Sequence, residues 1–488
     1  MDRSFTPDVE TIAPSAAPSS TRGALASLSL SLLMPSLDTS IANSSLPTLQ
    51  QSFGASFESV QWIVIAYLLS ITALIVGAAR LGDIFGQRRL LLVGIGLFTA
   101  ASLLCGLAPS LALLVAARAL QGLGAALLMS LTLTMVAEAV PAARTGSAVG
   151  LLGTMSAIGT TLGPSLGGIL VAAFGWRSIF LVNVPLGLVT LFLARRFLPD
   201  SRRKAPDGRA GFDVSGTLVL ASALAAYALA LTYGRARFGW PAAALLATAA
   251  LGVRLFFIVE ARSRSPLLRL ATVRDSALRS SLVLSGLVSS VMMATMVVGP
   301  FYLSRSLGLG TAMVGIAISV GPIVVAIAGL PAGRLVDRIG TRTPTVIGLG
   351  GIGAGASLLA IFPARFGMAG YLAPIAVMAA SYALFQSANN TSILRGSHPD
   401  ERGVRSALLS LSRNLGLITG SAGLGAIFAW ASSASDISSA SPAAVAFGMR
   451  VTFATSASLM FAALASVTAF APAATSARSG RREQQHLG

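Results

Sequence analysis

Cysteine is almost absent from this chain: Cys105 is the only one in 488 residues, and histidine occurs only at His398 and His486. A disulfide framework and a Cys/His metal cluster are therefore excluded. Charge is scarce as well. Charged residues make up 11% of the chain, 17 acidic against 35 Lys and Arg, and Lys204 is the lone lysine. A soluble protein of this length carries far more charge on its surface. No alternation with a period of two runs along the sequence, which argues against a transmembrane β-barrel. No Walker motif is present, so ATP is not the expected energy source. GLGGIGAGAS at 348–357 has a dinucleotide-like glycine pattern, but it lies in a long apolar run with no preceding strand, so it reads as packing glycine. Nothing here points to an enzyme, a metal or a cofactor.

What is present is hydrophobicity. Apolar residues reach 54% and the mean hydropathy is +0.78, values that belong to a polytopic α-helical membrane protein. Most apolar runs are about 20 residues or longer, enough to cross roughly 30 Å of hydrocarbon as helix. Dividing them at polar and Pro/Gly breaks predicts fourteen helices: 22–44, 59–80, 90–108, 111–138, 146–174, 178–197, 214–233, 241–260, 280–303, 312–334, 344–362, 370–394, 405–430 and 446–470. Residues 1–20 are polar, without a basic region followed by a short apolar core, so the first spanning helix is expected to act as the insertion signal.

The net charge of +18 is explained by position rather than by nucleic-acid binding. Most Lys and Arg fall in the termini and in the loops after even-numbered helices. The even helix count and this asymmetry place both termini in the cytoplasm of a multi-pass protein of the cell membrane. Two dense basic clusters, at 202–209 and 261–279, flank the seventh and eighth helices. That pair reads as an insertion between two six-helix bundles. The expected organisation is a tail at 1–21, a bundle at 22–197, a linker with two additional helices at 198–279, a second bundle at 280–470, and a tail at 471–488.

An internal repeat supports the division. ARLGDIFGQRR (79–89) matches GRLVDRIGTRT (333–343), pairing Arg80 with Arg334, Asp83 with Asp337, Gly86 with Gly340 and Arg88 with Arg342. GLLGTMSAIGTTLGPSLGG (150–168) matches LLSLSRNLGLITGSAGLG (408–425), pairing Gly159 with Gly416 and Gly163 with Gly420. Duplicated six-helix halves fit an alternating-access transporter with its site near the midplane.

Of the acidic residues, only Asp38 lies well inside a predicted helix. An ionised carboxylate in hydrocarbon costs at least about 2.5–3.5 kcal/mol on insertion scales, so it is expected to face a cavity or a partner; the alternative ends the first helix early and leaves Asp38 as a solvated cap. Asp38 lies nine residues before Pro47 and Arg118 nine after Pro109, so both sit about 13 Å from the outer boundary. Arg118 is the natural counter-charge on this depth, although it could instead snorkel. Gln121, one turn along, could add a hydrogen bond. Breaking such a pair would free the carboxylate to take a proton.

Four segments carry a resemblance to a known family. LDTSIANSSLP (37–47) is similar to the motif LDxTxxNxALP, ARLGDIFGQRR to GxLaDrxGrRR with Ala79 replacing the first Gly, ARALQGLGAA (117–126) to RxxQGxGaA, and GTTLGPSLGG (159–168) to the antiporter motif of a fifth helix. The sequence thus resembles the major facilitator superfamily, in particular its fourteen-helix drug/proton antiporter branch. The resemblance implies two pseudo-symmetric six-helix bundles plus two central helices, export rather than import, and a proton-coupling role for Asp38.

Other residues are read beside that resemblance. Gly159, Gly163 and Gly167 line one helix face at intervals of four, a small-xxx-small pattern for close helix approach; Pro164 favours a bend, and Gly168 completes the motif. Packing alone would also explain the glycines. Arg80, Asp83, Arg88 and Arg89 cluster at the cytoplasmic ends of the second and third helices. Asp83 could cap a helix, or pair with Arg413 across the bundle interface and close an inner gate. Trp62, Tyr67, Gln121, Met292, Met293, Met296, Phe301, Tyr302, Gln386, Asn389 and Asn390 are candidates for contact with an apolar substrate.

The combined expectation is a proton-driven exporter of hydrophobic or cationic drugs or antibiotics. It would act as a monomer in the lipid bilayer, without a cofactor and without nucleic acid. The alternatives are a proton-linked transporter of one metabolite on the same fold and a non-transporting membrane sensor.

Overall fold

A computed structural model describes residues 18–140, 145–199, 214–233, 240–262, 275–394, 399–432 and 440–469. The first half comprises α1 (Pro18–Ser44), the short α2 (Leu46–Phe53), α3 (Phe57–Phe85), α4 (Gln87–Leu107), α5 (Leu111–Ala139), α6 (Thr145–Phe174), α7 (Ser178–Leu181) and α8 (Asn183–Phe197). Two further helices follow, α9 (Val214–Tyr233) and α10 (Trp240–Arg262). The second half contains α11 (Ser276–Phe301), α12 (Thr311–Ile339), α13 (Arg342–Ile361), α14 (Pro363–Leu394), α15 (Pro399–Thr419), α16 (Gly425–Ala431) and α17 (Pro442–Ala469).

Among the described residues, thirteen helical segments are long and apolar enough to cross a membrane. The apolar stretch of α9, Ser215–Leu231, is shorter, and with it the set is consistent with the fourteen expected. The sequence reading missed local breaks. α2 is an extra amphipathic turn that ends at Gly54 in the left-handed region (φ 55°). The expected helix at 178–197 divides at Val182. The expected helix at 405–430 passes through a π-helical turn at Gly420–Leu424, and α11 continues into another at Tyr302–Ser306. Such turns leave no trace in a hydropathy profile.

The packing follows the duplication. α1 lies against α6 in the first half, as α11 lies against α15 in the second; α9 packs on α10 and also touches α3 and α15. The paired glycines Gly86 and Gly340 both hold positive φ, 91° and 82°. Each follows the end of a long helix and donates its N–H four residues back, to the carbonyls of Gly82 (2.9 Å) and Val336 (3.0 Å). A side chain at either position would be strained, which explains why the repeat retains glycine there. The outer surface is apolar, with Phe174, Phe192 and Ile327 among its most exposed residues, as a lipid-facing surface requires. Asp38, Arg118, Gln121 and Asn183 are buried.

Candidate functional site: a buried ion pair beside a central cavity

α1, α5 and α8 converge on Asp38. The Arg118 Nη1 donates to Asp38 Oδ2 in a close ion pair, with both side chains about 1% exposed. Oδ1 accepts from Gln121 Nε2 at 2.9 Å and from Asn183 Nδ2 at 2.8 Å. Arg118 also donates to the Ile63 carbonyl (3.0 Å) and to Gln121 Oε1 (2.6 Å), and its guanidinium lies over the Tyr67 ring, 4.1 Å from the centroid. Gln121 Nε2 further donates to Ser102 Oγ at 2.8 Å. Every partner of the carboxylate donates to it. Asn183 and Ser102 escaped the sequence reading; an isolated Asn in the apolar run FLVNVPLG was the available signal for the first.

The other face of the same part of α1 borders a cavity of about 520 Å³ between the two halves. Pro35, Ser36, Thr39, Ser40 and Asn43 line it, so Asp38 sits behind the wall its neighbours form. Met292, Met293, Met296 and Gln386 are on the wall as expected. Seven other substrate candidates are not. Tyr67 and Gln121 turn into the Asp38 cluster. Tyr302 is buried and stacks on Tyr371, with centroids 6.0 Å apart, and it is Tyr371 that reaches the cavity. Asn389 donates to the Ser281 carbonyl at 3.3 Å. Trp62 packs on the hydrophobic core. Asn390 lies a turn beyond Gln386, past the wall. Phe301 is buried in an aromatic cluster. Residue type suggests who could touch a ligand; the rotation of each helix selects who does.

The described wall contains no acidic residue. Its one charged residue is Arg413. The sequence reading put Arg413 at an inner gate with Asp83; the side chains of Asp83 and Arg80 lie outside the described residues. Arg88 donates to the Arg195 carbonyl at 2.7 Å, tying α4 to the end of α8 within its own half, and Arg89 is exposed.

The glycine stripe of α6 faces α1. A Cβ at Gly159 would stand 2.8 Å from the Leu33 carbonyl oxygen, one at Gly163 would collide with the Ser40 side chain, and one at Gly167 would stand 3.0 Å from Ile41 Cγ2. Gly168 serves the opposite contact: its Cβ would lie 2.7 Å from the Thr311 carbonyl on α12. Pro164 removes the N–H that would bond the Thr160 carbonyl, and the Ser40 hydroxyl of α1 donates there instead, at 2.8 Å. The Ser165 N–H donates to Ser319 Oγ of α12 at 3.1 Å. α6 is thus hydrogen-bonded to one helix of each half beside Pro164.

At the end of the molecule where α3 begins, Phe57 meets Phe301 (centroids 4.8 Å apart) and Phe428 (5.6 Å), joining the halves. Gln61 Nε2 donates to the Ser421 carbonyl at 2.7 Å beside them. The cavity wall extends the other way, to Met129, Gly153 and Arg413.

The Major Facilitator Superfamily model matches residues 28–421 and, overlapping, 282–487. The chain belongs to the major facilitator superfamily. Its relatives include the multidrug resistance protein Stp of Mycobacterium tuberculosis (strain CDC 1551 / Oshkosh), 35% identical over 82% of this chain and 74% of Stp. The riboflavin transporter RibZ of Clostridioides difficile (strain 630) is 30% identical over 82% of this chain and 86% of RibZ. Among solved structures, a bacterial homologue of the human lysosomal transporter Spinster, inward-facing and unoccupied, matches with a TM-score of 0.67 at 17% identity, covering 93% of this chain and 97% of that one. At that identity the likeness speaks for the fold. The superfamily fold expected from the four motifs is the fold observed, and the chain is a multi-pass membrane transporter.

Proposed function

We propose that the protein exports small hydrophobic compounds, drugs or antibiotics among them, from the cytoplasm in exchange for protons, and that one chain suffices. The observation that carries this reading is the buried Asp38 carboxylate, held by three donors directly behind the wall of the central cavity. In the orientation favoured by the positive charge distribution, the Phe57 end faces outward and the cavity belongs to a state that loads from the cytoplasm. In such a state an antiporter releases its proton inward, and Asp38 is the group we assign to that release. Movement of α1 relative to α5 would separate Asp38 from Arg118 and give protons access from outside. Helix α6, bonded to both α1 and α12 beside Pro164, is suited to transmit that movement. Names of relatives such as Stp favour drug export. A second reading, transport of one defined metabolite, is favoured by RibZ.

Everted membrane vesicles containing the protein test the reading. Addition of substrate to energised vesicles is expected to release protons from the lumen, and Asp38→Asn is expected to abolish uphill uptake while leaving the protein inserted. Wild-type rates in the Asn variant would sink the proton-carrier assignment. Discrimination among dyes and antibiotics in one panel separates the multidrug reading from the metabolite reading.

A further inference from the structure

Arg413 lies on α15, fourteen residues from its start, and its side chain is part of the cavity wall. It makes no hydrogen bond or ion pair with a described residue. Its guanidinium therefore presents five donors and a fixed positive charge with no acceptor among the described residues. The next residue, Asn414, also lines the cavity and is only 7% exposed, and its covered Nδ2 has no acceptor among the described residues. Arg413 thus offers unmet donors to the cavity, and a second unmet donor lies in the wall beside it. No carboxylate among the described lining residues competes for them. The rest of the wall is soft and aromatic, with Met129, Met292, Met296, Met378, Tyr371 and Tyr382.

We propose that the substrate is an amphipathic organic anion: an aromatic or polycyclic body carrying a carboxylate, phenolate or comparable acidic group, which docks on Arg413 beside Asn414. The inference rests on the export reading for its physiological meaning and names the substrate class of that same cavity. The physical reason lies in occlusion. While the cavity is wet, water satisfies the guanidinium; once the cavity closes, an unpaired buried cation is costly, and a ligand acceptor removes the cost. A cationic ligand would add repulsion to the same charge. The methionines conform to bodies of different outline, so the acidic group supplies recognition and the apolar body supplies affinity without strict shape. The pairing is also compatible with the expected gate role of Arg413 in another conformation, because a side chain released from an acidic partner is available to a ligand.

Two measurements on the full-length protein test this with a xanthene series sharing one body: anionic fluorescein, its neutral mono-O-methyl ether methyl ester and cationic rhodamine 123. Binding to purified protein is read by fluorescence anisotropy, and export by uptake into everted vesicles. Wild type is expected to bind fluorescein at least about tenfold tighter than rhodamine 123, the scale of one charge-assisted hydrogen bond. Arg413→Gln is expected to weaken fluorescein by about tenfold or more and leave the neutral ether within roughly twofold, with Arg413→Lys in between. Retained binding of the neutral dye reports that the variant is folded. Equal weakening of all three dyes would mean that Arg413 acts only as a gate or a packing residue and would overturn the proposal. So would fluorescein bound no tighter than rhodamine 123 by wild type. Selective anion binding without vesicle uptake would instead count against the export reading and leave the substrate class standing.

Discussion

The Ser40 hydroxyl donates to the Thr160 carbonyl, 2.8 Å away on the neighbouring helix. That carbonyl has lost its own helical partner to Pro164. The bond is a hinge seam: it satisfies a partly buried backbone acceptor only while α1 and α6 stay together. Ser40→Ala is therefore expected to destabilise the protein by about 1 kcal/mol, the net worth of one such hydrogen bond. Pro164→Ala returns the helical donor, so the same serine change in that background is expected to cost less. A double-mutant cycle of thermal denaturation in detergent measures the coupling, and additive effects would refute it.

Arg118 and Asp38 invite a second cycle. Arg118→Met leaves a buried, unpaired carboxylate and is expected to cost about 3–5 kcal/mol. Combining it with Asp38→Asn removes the orphaned charge, and the double variant is expected to be more stable than Arg118→Met alone. Heating in detergent and following the folded fraction distinguishes the two. Neither variant is expected to pump.

The α6 stripe separates close-approach glycines from incidental ones. Gly163→Val is expected to reduce transport by at least about tenfold, because its side chain would drive α1 away at Ser40. Gly96 has nothing within 4 Å of a built Cβ, so Gly96→Ala is expected to be neutral, or to stabilise by up to about 1 kcal/mol through helix propensity. Transport assays and melting curves of the two variants in parallel make the comparison.

Phe428 packs against Phe57 and Phe301 at the end of the molecule where α3 begins. Truncation to Ala removes contacts made between the halves, and losses of about 3 kcal/mol are usual for a buried Phe. If that contact exists only in this conformation, the balance shifts toward the state open at this end by roughly 100-fold. Cys105 is buried, so Gln61→Cys would be a nearly clean reporter. Its labelling by an impermeant maleimide added from that side is expected to accelerate in Phe428→Ala. An unchanged rate would show that the aromatic cluster does not hold this end shut.

The hydropathy pattern and the repeat made the helical architecture legible because lipid imposes a simple rule, long apolar helices with polar groups confined to special places. Asp38 and Arg118 stood out for the same reason, since each is a costly exception and the two share a depth. The aromatic and amide candidates were harder. Tyr67 and Gln121 have the composition of a binding site, yet their helix faces turn them to the ion pair. Asn183 looked like nothing in particular and donates to Asp38 at 2.8 Å.

By itself the sequence determined a duplicated, polytopic helical chain with one deeply placed acid, because charge, glycine and apolar run length are constrained residue by residue in a membrane. Only the tertiary structure decided which side of each helix faces which neighbour. That decision put Asp38 behind the cavity wall and Arg413 on it. Helix rotation and inter-helix distance arise from contacts summed over many residues far apart in the chain, and no local pattern encodes them.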